Sequence, residues 1–179
     1  MYYKMEYESP IGLLTIASDG ENIIGLWVQG QKYFAGSIKE EMILKEELPV
    51  FETAREWLNR YFSGEKVCPD EFPLAPIGSD FRQEVWKILR EIPYGETMTY
   101  GDIAKRMAEK MGKPSMSAQA VGGAVGHNPI SIIVPCHRVV GTNKSLTGFA
   151  GGVDKKAWLL RHEGIDINKF TIPKKGTAI

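Results

Sequence analysis

Between Gly64 and Gly78 the chain carries three prolines, Pro69, Pro73 and Pro76, and no helical period. Neither a helix nor a central strand can run through such a stretch, so it reads as a linker between two halves of different periodicity. Before it, strand signals dominate. YYKMEYE and LLTIAS, joined by Ser9-Pro10-Ile11-Gly12, and NIIGLWV after the turn residues Asp19-Gly20-Glu21-Asn22, predict a three-stranded meander. Residues 31–50 are charged and only weakly periodic. Phe51, Ala54, Trp57, Leu58, Tyr61 and Phe62 then recur at three- and four-residue spacing, a helix expected to cover one face of the sheet.

After the linker the period is helical. Asp80 with Gln83 has the form of a capping box, and Phe81, Val85, Trp86 and Leu89 supply the buried face of a helix ended by Pro93-Tyr94-Gly95. Thr99 can cap a helix carrying Ile103, Ala104 and Met107; Gly112-Lys113-Pro114 breaks it, and Ser117 can cap a further short helix, AQAVGGAVG, ended by Asn128-Pro129. The pair is a helix-turn-helix candidate. ISIIV at 130–134 reads as a buried strand, VVGTNKSLTG as a hairpin or wing turning at Asn143-Lys144, and a last helix is expected from Asp154 to Gly164 with Ala157, Trp158 and Leu160 buried. The expected organisation is a strand-rich unit over 1–78, a helical unit over 79–166 and a loose tail over 167–179.

With 43% hydrophobic and 10% aromatic residues the chain can bury a core, which excludes global disorder. No apolar run approaches the roughly 20 residues of a membrane span, and MYYKMEYESP lacks the features of a secretory signal, so an intracellular, cytoplasmic protein without membrane contact is expected (nuclear in a eukaryote). Zero net charge hides a split: seven basic against thirteen acidic residues over 1–79, a net of −6, and fifteen against nine over 80–179, a net of +6. Such asymmetry fits either nucleic-acid contact by the second half or an ordinary solvated face. The helix AQAVGGAVG is unusual because Gln119 is its only long polar side chain. A smooth helix suits close backbone approach to a flat or narrow partner, and equally suits tight packing in a core.

The two cysteines, Cys68 and Cys136, are too few for a disulfide framework and have no zinc-ligand spacing. Cys136 follows Pro135 at the end of the apolar run and precedes His137 and Arg138, groups that favour thiolate, the nucleophilic form; the alternative is an inert buried thiol. Adjacent residues of an extended chain point to opposite faces, so His137 can serve Cys136 only if the backbone turns there or a water bridges them. A carboxylate is needed to orient the histidine, either Glu163 or Asp154, with Glu163 preferred because Asp154 looks like a helix cap. Cys68 lies in the linker with no histidine nearby.

From Phe81 to Gly164 the sequence resembles the O6-alkylguanine-DNA alkyltransferases, also called methylated-DNA protein-cysteine methyltransferases. The resemblance rests on Pro135-Cys136-His137-Arg138, Thr99-Tyr100-Gly101, Ala120-Val121-Gly122-Gly123-Ala124, Asn128-Pro129, Gly151-Gly152 and Trp158-Leu159-Leu160-Arg161-His162-Glu163-Gly164. It implies an α+β fold in which an N-terminal ribonuclease-H-like α/β domain precedes a C-terminal winged helix-turn-helix domain. It also implies single-turnover repair of double-stranded DNA: the helix enters the minor groove, O6-alkylguanine is flipped out, and its alkyl group passes irreversibly to Cys136. His137, held by Glu163, would take the thiol proton through a water; Asn128 would brace the turn before the active-site segment, and Tyr100 would donate to the guanine ring. The carbonyls of Val134 and Cys136 would accept from the exocyclic amine, the N–H of Ala150 would face O6, and Val139, Phe149 and Trp158 would line or support the pocket. Ala118, Gln119, Ala120 and Gly123 would meet DNA, with Arg138, Lys113 and Lys144 as phosphate contacts. No cofactor or metal is implied, and a monomer is expected.

The sequence departs from the family pattern in three places. Gln119 stands where an arginine often fills the gap left by the flipped base, Phe149 and Ala150 replace a common tyrosine and serine, and AEKMGKPSM lengthens the connection between the two helices. O4-alkylthymine is a further candidate substrate. Two other readings of the same residues are a multiple-turnover cysteine hydrolase, which needs an oxyanion hole, and a winged-helix DNA-binding regulator in which Cys136 is only a core residue.

Overall fold

A computed structural model of the chain describes residues 1–36 and 38–172. The chain divides into two compact units, one made of residues 1–78 with 129–133, the other of residues 79–128 and the chain from 134 onward.

In the first unit β1 (Tyr2–Ser9), β2 (Gly12–Ser18) and β3 (Ile23–Val28) form an antiparallel meander. The turn between β1 and β2 closes because Gly12 adopts a φ of 111° and Ser9 Oγ donates to its carbonyl at 2.6 Å. A fourth strand, β4 (Met42–Leu44), pairs parallel to β1 and gives the order β3-β2-β1-β4. It lies in the charged stretch 31–50, where three residues at a sheet edge leave no period to read. Every residue of β3 is buried, which is why NIIGLWV is apolar without alternation. The helix α1 (Pro49–Phe62) packs on β1 and β2 through Phe51, Ala54, Trp57, Leu58 and Tyr61. The linker is tied to this unit: Trp57 Nε1 donates to the Cys68 carbonyl at 2.8 Å, and residues 73–75 bridge to Ile23 through two backbone hydrogen bonds of 2.9 Å.

The strand expected at 130–134 does not form. Ile130 makes one bridge to Leu26 of β3, and the chain then turns about Ile132, whose φ is 71°, with the Ile133 N–H donating to the Ser131 carbonyl at 2.8 Å. This is a γ-turn of the strained hand. An apolar run of five cannot by itself distinguish a buried strand from a buried irregular segment, and Pro129 and Pro135 at its ends have no N–H to extend a ladder.

The second unit holds α2 (Asp80–Arg90), β5 (Met98–Thr99), α3 (Tyr100–Lys110), α4 (Ala118–Gly126), β6 (Val139–Val140) and α5 (Val153–His162). Ser79, one residue ahead of the expected Asp80, caps α2, its hydroxyl accepting from the Arg82 N–H. Thr99 caps α3 and forms a reciprocal box with Asp102, and Ser117 caps α4, as the residue types predict. α2, α3 and α4 pack on one another, and Trp86 Nε1 donates to the Ala124 carbonyl at 2.8 Å, locking α2 to α4.

The segment after Val139 turns at 142–144, where a hairpin or wing is expected to turn, and the Gly141 N–H donates to the Ser145 carbonyl at 2.8 Å, but no two-stranded ladder follows. β6 pairs in parallel with β5, and the chain beyond the turn pairs with Thr171. The loose-tail expectation is thereby corrected over 167–172. Ile167–Lys169 forms a 3-10 turn, and Ile165, Ile167 and Phe170 pack against Val140, Leu146, Ala157 and Leu160, so apolar burial holds this part of the tail. Residues 173–179 lie outside the described residues. No helix among those described is long and apolar enough to cross a membrane.

Candidate active site

The backbone does turn at the cysteine. Pro135, with φ −80° and ψ 64°, places the Cys136 N–H on the Val134 carbonyl at 2.8 Å, and Cys136–Arg138 then forms a single 3-10 turn. This replaces the strand geometry that would send His137 to the opposite face. Cys136 is buried, and burial pushes its thiol up from the ordinary value. The Asn128 side chain, the Lys156 ammonium and the backbone N–H groups of Cys136 and His137 act against that rise by favouring the thiolate. Asn128 Nδ2 also donates to the Val134 carbonyl at 2.9 Å, so one carboxamide joins the end of α4 to the turn that carries Cys136.

His137 is wholly buried. Its Nε2 lies 2.6 Å from Glu163 Oε2, while Nδ1 is buried with no hydrogen-bond partner among the described residues. Burial lowers the imidazole below its ordinary pKa, Glu163 opposes this, and Arg138 and Lys156 add to the lowering. A neutral ring bonded to a carboxylate through Nε2–H carries its free lone pair on Nδ1, the form that accepts a proton. Glu163, at the C-terminal end of α5, is the orienting carboxylate that the sequence prefers. Asp154 is exposed in the first turn of α5 and is not the helix cap; that position is Gly152, with φ 104°. Burial alone would raise the Glu163 carboxyl, but His137 and Arg138 hold it well below the usual carboxylate range.

Arg138 departs from the expected phosphate contact. It is buried, with Nε donating to Glu163 Oε1 at 2.7 Å, Nη1 donating to the Ile92 carbonyl at 2.7 Å, and the guanidinium over the Tyr94 ring at 5.6 Å. Its charge is spent on holding Glu163, so it has no reach to a phosphate. Lys113 and Lys144 are exposed, as their expected role requires.

Tyr100 Oη donates to the Thr147 carbonyl at 3.0 Å, and burial keeps the phenol protonated far above neutral pH. Val134, Val139 and Phe149 are buried, while Ala150 and Trp158 are half-buried; Trp158 does not join the core of α5 but stacks on His162 at 4.8 Å. A Cβ on Gly151 would stand 2.8 Å from the Phe149 ring, so the first glycine of the pair gives that ring its space.

On α4 one face packs in the core and the other is open to solvent. Val121, Gly122, Ala124, Val125 and Gly126 are buried, whereas Ala118, Gln119 and Ala120 are exposed and Gly123 is open enough for a Cβ to meet nothing within 4 Å. The residue that sequence reasoning missed is Lys156. It is completely buried, and its Nζ donates to the carbonyls of Val139 and of Thr147, the latter at 2.6 Å. The signal was present: Val153, Lys156, Ala157 and Leu160 share the apolar stripe of α5, and a lysine there must find buried acceptors. Among the described residues no group of three His, Cys, Asp or Glu side chains could hold a metal ion.

The DNA-binding domain model of 6-O-methylguanine DNA methyltransferase matches residues 80–165, and the ribonuclease-like domain model of the same protein matches residues 1–76. Methylated-DNA–protein-cysteine methyltransferase of Haemophilus influenzae is 46% identical over 165 residues, covering 92% of this chain and 87% of that one. Its counterpart in Methanosarcina acetivorans is also 46% identical over 165 residues, covering 92% and 99%. Among solved structures, that of Mycobacterium tuberculosis OGT in complex with DNA superposes with a TM-score of 0.76 at 39% identity, over 94% of each chain.

Proposed function

Since the chain belongs to the 6-O-methylguanine DNA methyltransferase family, we propose that it repairs alkylated DNA by moving the alkyl group from O6 of guanine onto Cys136, once per molecule. The observation that carries this reading is the buried His137–Glu163 pair in the turn that Cys136 opens, with Nδ1 of His137 without a hydrogen-bond partner among the described residues.

The reaction follows from these groups. The Cys136 proton passes through a water to His137 Nδ1, and the imidazolium so formed is stabilised by the Glu163 carboxylate. The thiolate sulfur attacks the alkyl carbon in line with the C–O6 bond; an S–C bond forms as C–O6 breaks, and the electron pair stays on the guanine. Tyr100 turns its hydroxyl from the Thr147 carbonyl to donate a hydrogen bond to the ring as that charge grows, and the proton lost by the thiol is returned to the base, so the products are guanine and a Cys136 thioether. A thioether offers no hydrolytic exit, which makes the transfer stoichiometric. Arg138 keeps Glu163 ionised and fixed, and Asn128 places the Val134 carbonyl where it can accept from the exocyclic amine of the flipped base. No step calls for a cofactor.

Duplex DNA carrying O6-alkylguanine is the partner, approached by a monomer through the exposed face of α4, with Lys113 and Lys144 on phosphates. Small side chains at 118, 120 and 123 permit close backbone approach to the minor groove, and Gln119 is the one side chain long enough to enter the stack when the base leaves it. Incubation with duplex bearing an isotopically labelled O6-methyl group tests the reading. Label should transfer to the protein and to Cys68→Ser, and should not transfer to Cys136→Ser; label on Cys136→Ser would overturn it.

A further inference from the structure

Pro93-Tyr94-Gly95-Glu96 follows α2 as a tight turn, and the transfer chemistry set out above gives it no task. The Glu96 N–H donates to the Pro93 carbonyl at 3.1 Å, Gly95 has a φ of 83° and the φ of Tyr94 is negative, which makes this a type II turn. Type II differs from type I in the direction of its central peptide, here Tyr94–Gly95. The N–H of that peptide is aimed at Glu163 Oε1, at 3.5 Å. A Cβ on Gly95 would stand 3.4 Å from the Glu163 carbonyl oxygen, an ordinary contact, so the glycine answers the backbone conformation and not a lack of space. Two further contacts bring the same stretch to Arg138. The Ile92 carbonyl accepts from Arg138 Nη1 at 2.7 Å, and the Tyr94 ring lies 5.6 Å from the guanidinium carbon.

We propose that Tyr94 and Gly95 are positioning residues of the alkyl transfer: the Tyr94 ring covers the Arg138–Glu163 ion pair, and the Gly95 N–H fixes the carboxylate that orients His137. The proposal rests on the alkyl-transfer reading. Oε1 of Glu163 is held by Arg138 Nε and the Gly95 N–H, which leaves Oε2 to His137. One carboxylate orientation therefore satisfies three donors, and rotation away from the imidazole would forfeit bonds on both oxygens. Arg138 and Glu163 are buried while Tyr94 is half-buried over the guanidinium, so the ring stands between the pair and solvent. Water admitted there would screen the carboxylate and offer Arg138 other partners. The imidazolium formed when Cys136 gives up its proton would then lose its fixed counter-charge. Neither Tyr94 nor Gly95 acts on the sulfur or the base, so their effect passes through His137. The contacts named here involve neither α4 nor the lysines assigned to phosphates, which separates this role from DNA affinity.

The test compares Tyr94→Leu with Tyr94→Phe, and Gly95→Ala with Gly95→Asn, in the full chain. Leucine removes the ring and phenylalanine keeps it; alanine resists a positive φ that asparagine tolerates. Single-turnover transfer is measured against the concentration of methylated duplex, and NMR of the histidine ring N–H groups is recorded without DNA. Tyr94→Leu and Gly95→Ala should transfer about fivefold or more slowly at saturating duplex, with the half-saturating concentration unchanged. In the same two variants the His137 Nε2–H should exchange with water about tenfold faster than in the parent. Tyr94→Phe and Gly95→Asn should bring both readouts back to within about twofold of the parent. Parent rates in Tyr94→Leu and Gly95→Ala, a loss confined to half-saturation, or equal losses in the leucine and phenylalanine variants and in the alanine and asparagine variants would overturn the proposal and leave the turn a plain connection. The ring measurement uses no substrate, so it reports on His137 whatever the parent transfers; a parent that moves no alkyl group would instead sink the alkyl-transfer reading.

Discussion

Arg138 and His137 bind the two oxygens of one carboxylate: Glu163 Oε1 accepts from Arg138 Nε at 2.7 Å, and Oε2 meets His137 Nε2 at 2.6 Å. Adjacent residues of a single 3-10 turn thus grip the end of α5 from one side, and Cys136 opens the same turn. The turn, His137 and Glu163 are joined by these contacts into one unit, whose parts should fail together under the proposed mechanism.

That unit gives the first expectation. His137→Ala, Glu163→Gln and the double variant should show similar single-turnover rates, because each disables the same proton acceptor and such losses do not add. Single-turnover kinetics with methylated duplex would check this. A double variant slowed by the full product of the two single effects would show that the residues act separately.

Acid stability gives the second. The folded protein lowers the pKa of both His137 and Glu163, so each binds protons more readily in the unfolded chain, and the stability each lends is lost as pH falls. The loss should begin below about pH 6.5, where unfolded histidine titrates, and continue below about 4.3, where unfolded glutamate does. Thermal melts across this range should show both phases in the parent and only the upper one in Glu163→Gln. Identical acid profiles in the two proteins would contradict the pairing.

Arg138 and the exposed lysines should separate stability from DNA affinity. Arg138→Met removes one partner of a buried ion pair, a change that typically costs about 3–5 kcal/mol of stability. It should leave the salt dependence of DNA binding unchanged in protein that remains folded. Lys113→Ala and Lys144→Ala should each lower the slope of log affinity against log salt by about 0.9 while barely moving the melting temperature. A reduced slope in Arg138→Met would restore the phosphate contact that its burial argues against.

The open face of α4 sets a fourth expectation. Gly123→Ala meets no atom and replaces glycine inside a helix, so it should stabilise the fold by about 0.5–1 kcal/mol. If the backbone there approaches DNA closely, the same change should weaken duplex binding. Gln119→Ala should slow repair of duplex but not reaction with free O6-alkylguanine base, which needs no flipping, and Gln119→Arg should retain or speed duplex repair. Equal slowing of Gln119→Ala on both substrates would place the residue in support of the fold.

Elements with a repeating pattern or a capping residue were legible in the sequence: the meander, α1, and the helices begun by Thr99 and Ser117. The pairing of His137 with Glu163 was legible because the only other carboxylate weighed, Asp154, reads as part of a helix start. What escaped was set by tertiary context. β4 is too short to show a period, ISIIV is apolar whether extended or turned, and the return of Thr171 to Ser145 joins residues far apart in sequence. Arg138 and Lys156 were misread or missed for one shared reason. A cation in sequence suggests solvent or phosphate, and only the fold reveals the buried oxygens waiting for it.

Intact-protein mass after mixing with excess duplex containing O6-methylguanine tests the transfer to Cys136 most directly. The mass should rise by one methyl group and no further, peptide mapping should place that group on Cys136, and the duplex repaired should equal the protein consumed. An unchanged mass, a methyl group on Cys68, or repair of more duplex than protein present would contradict it.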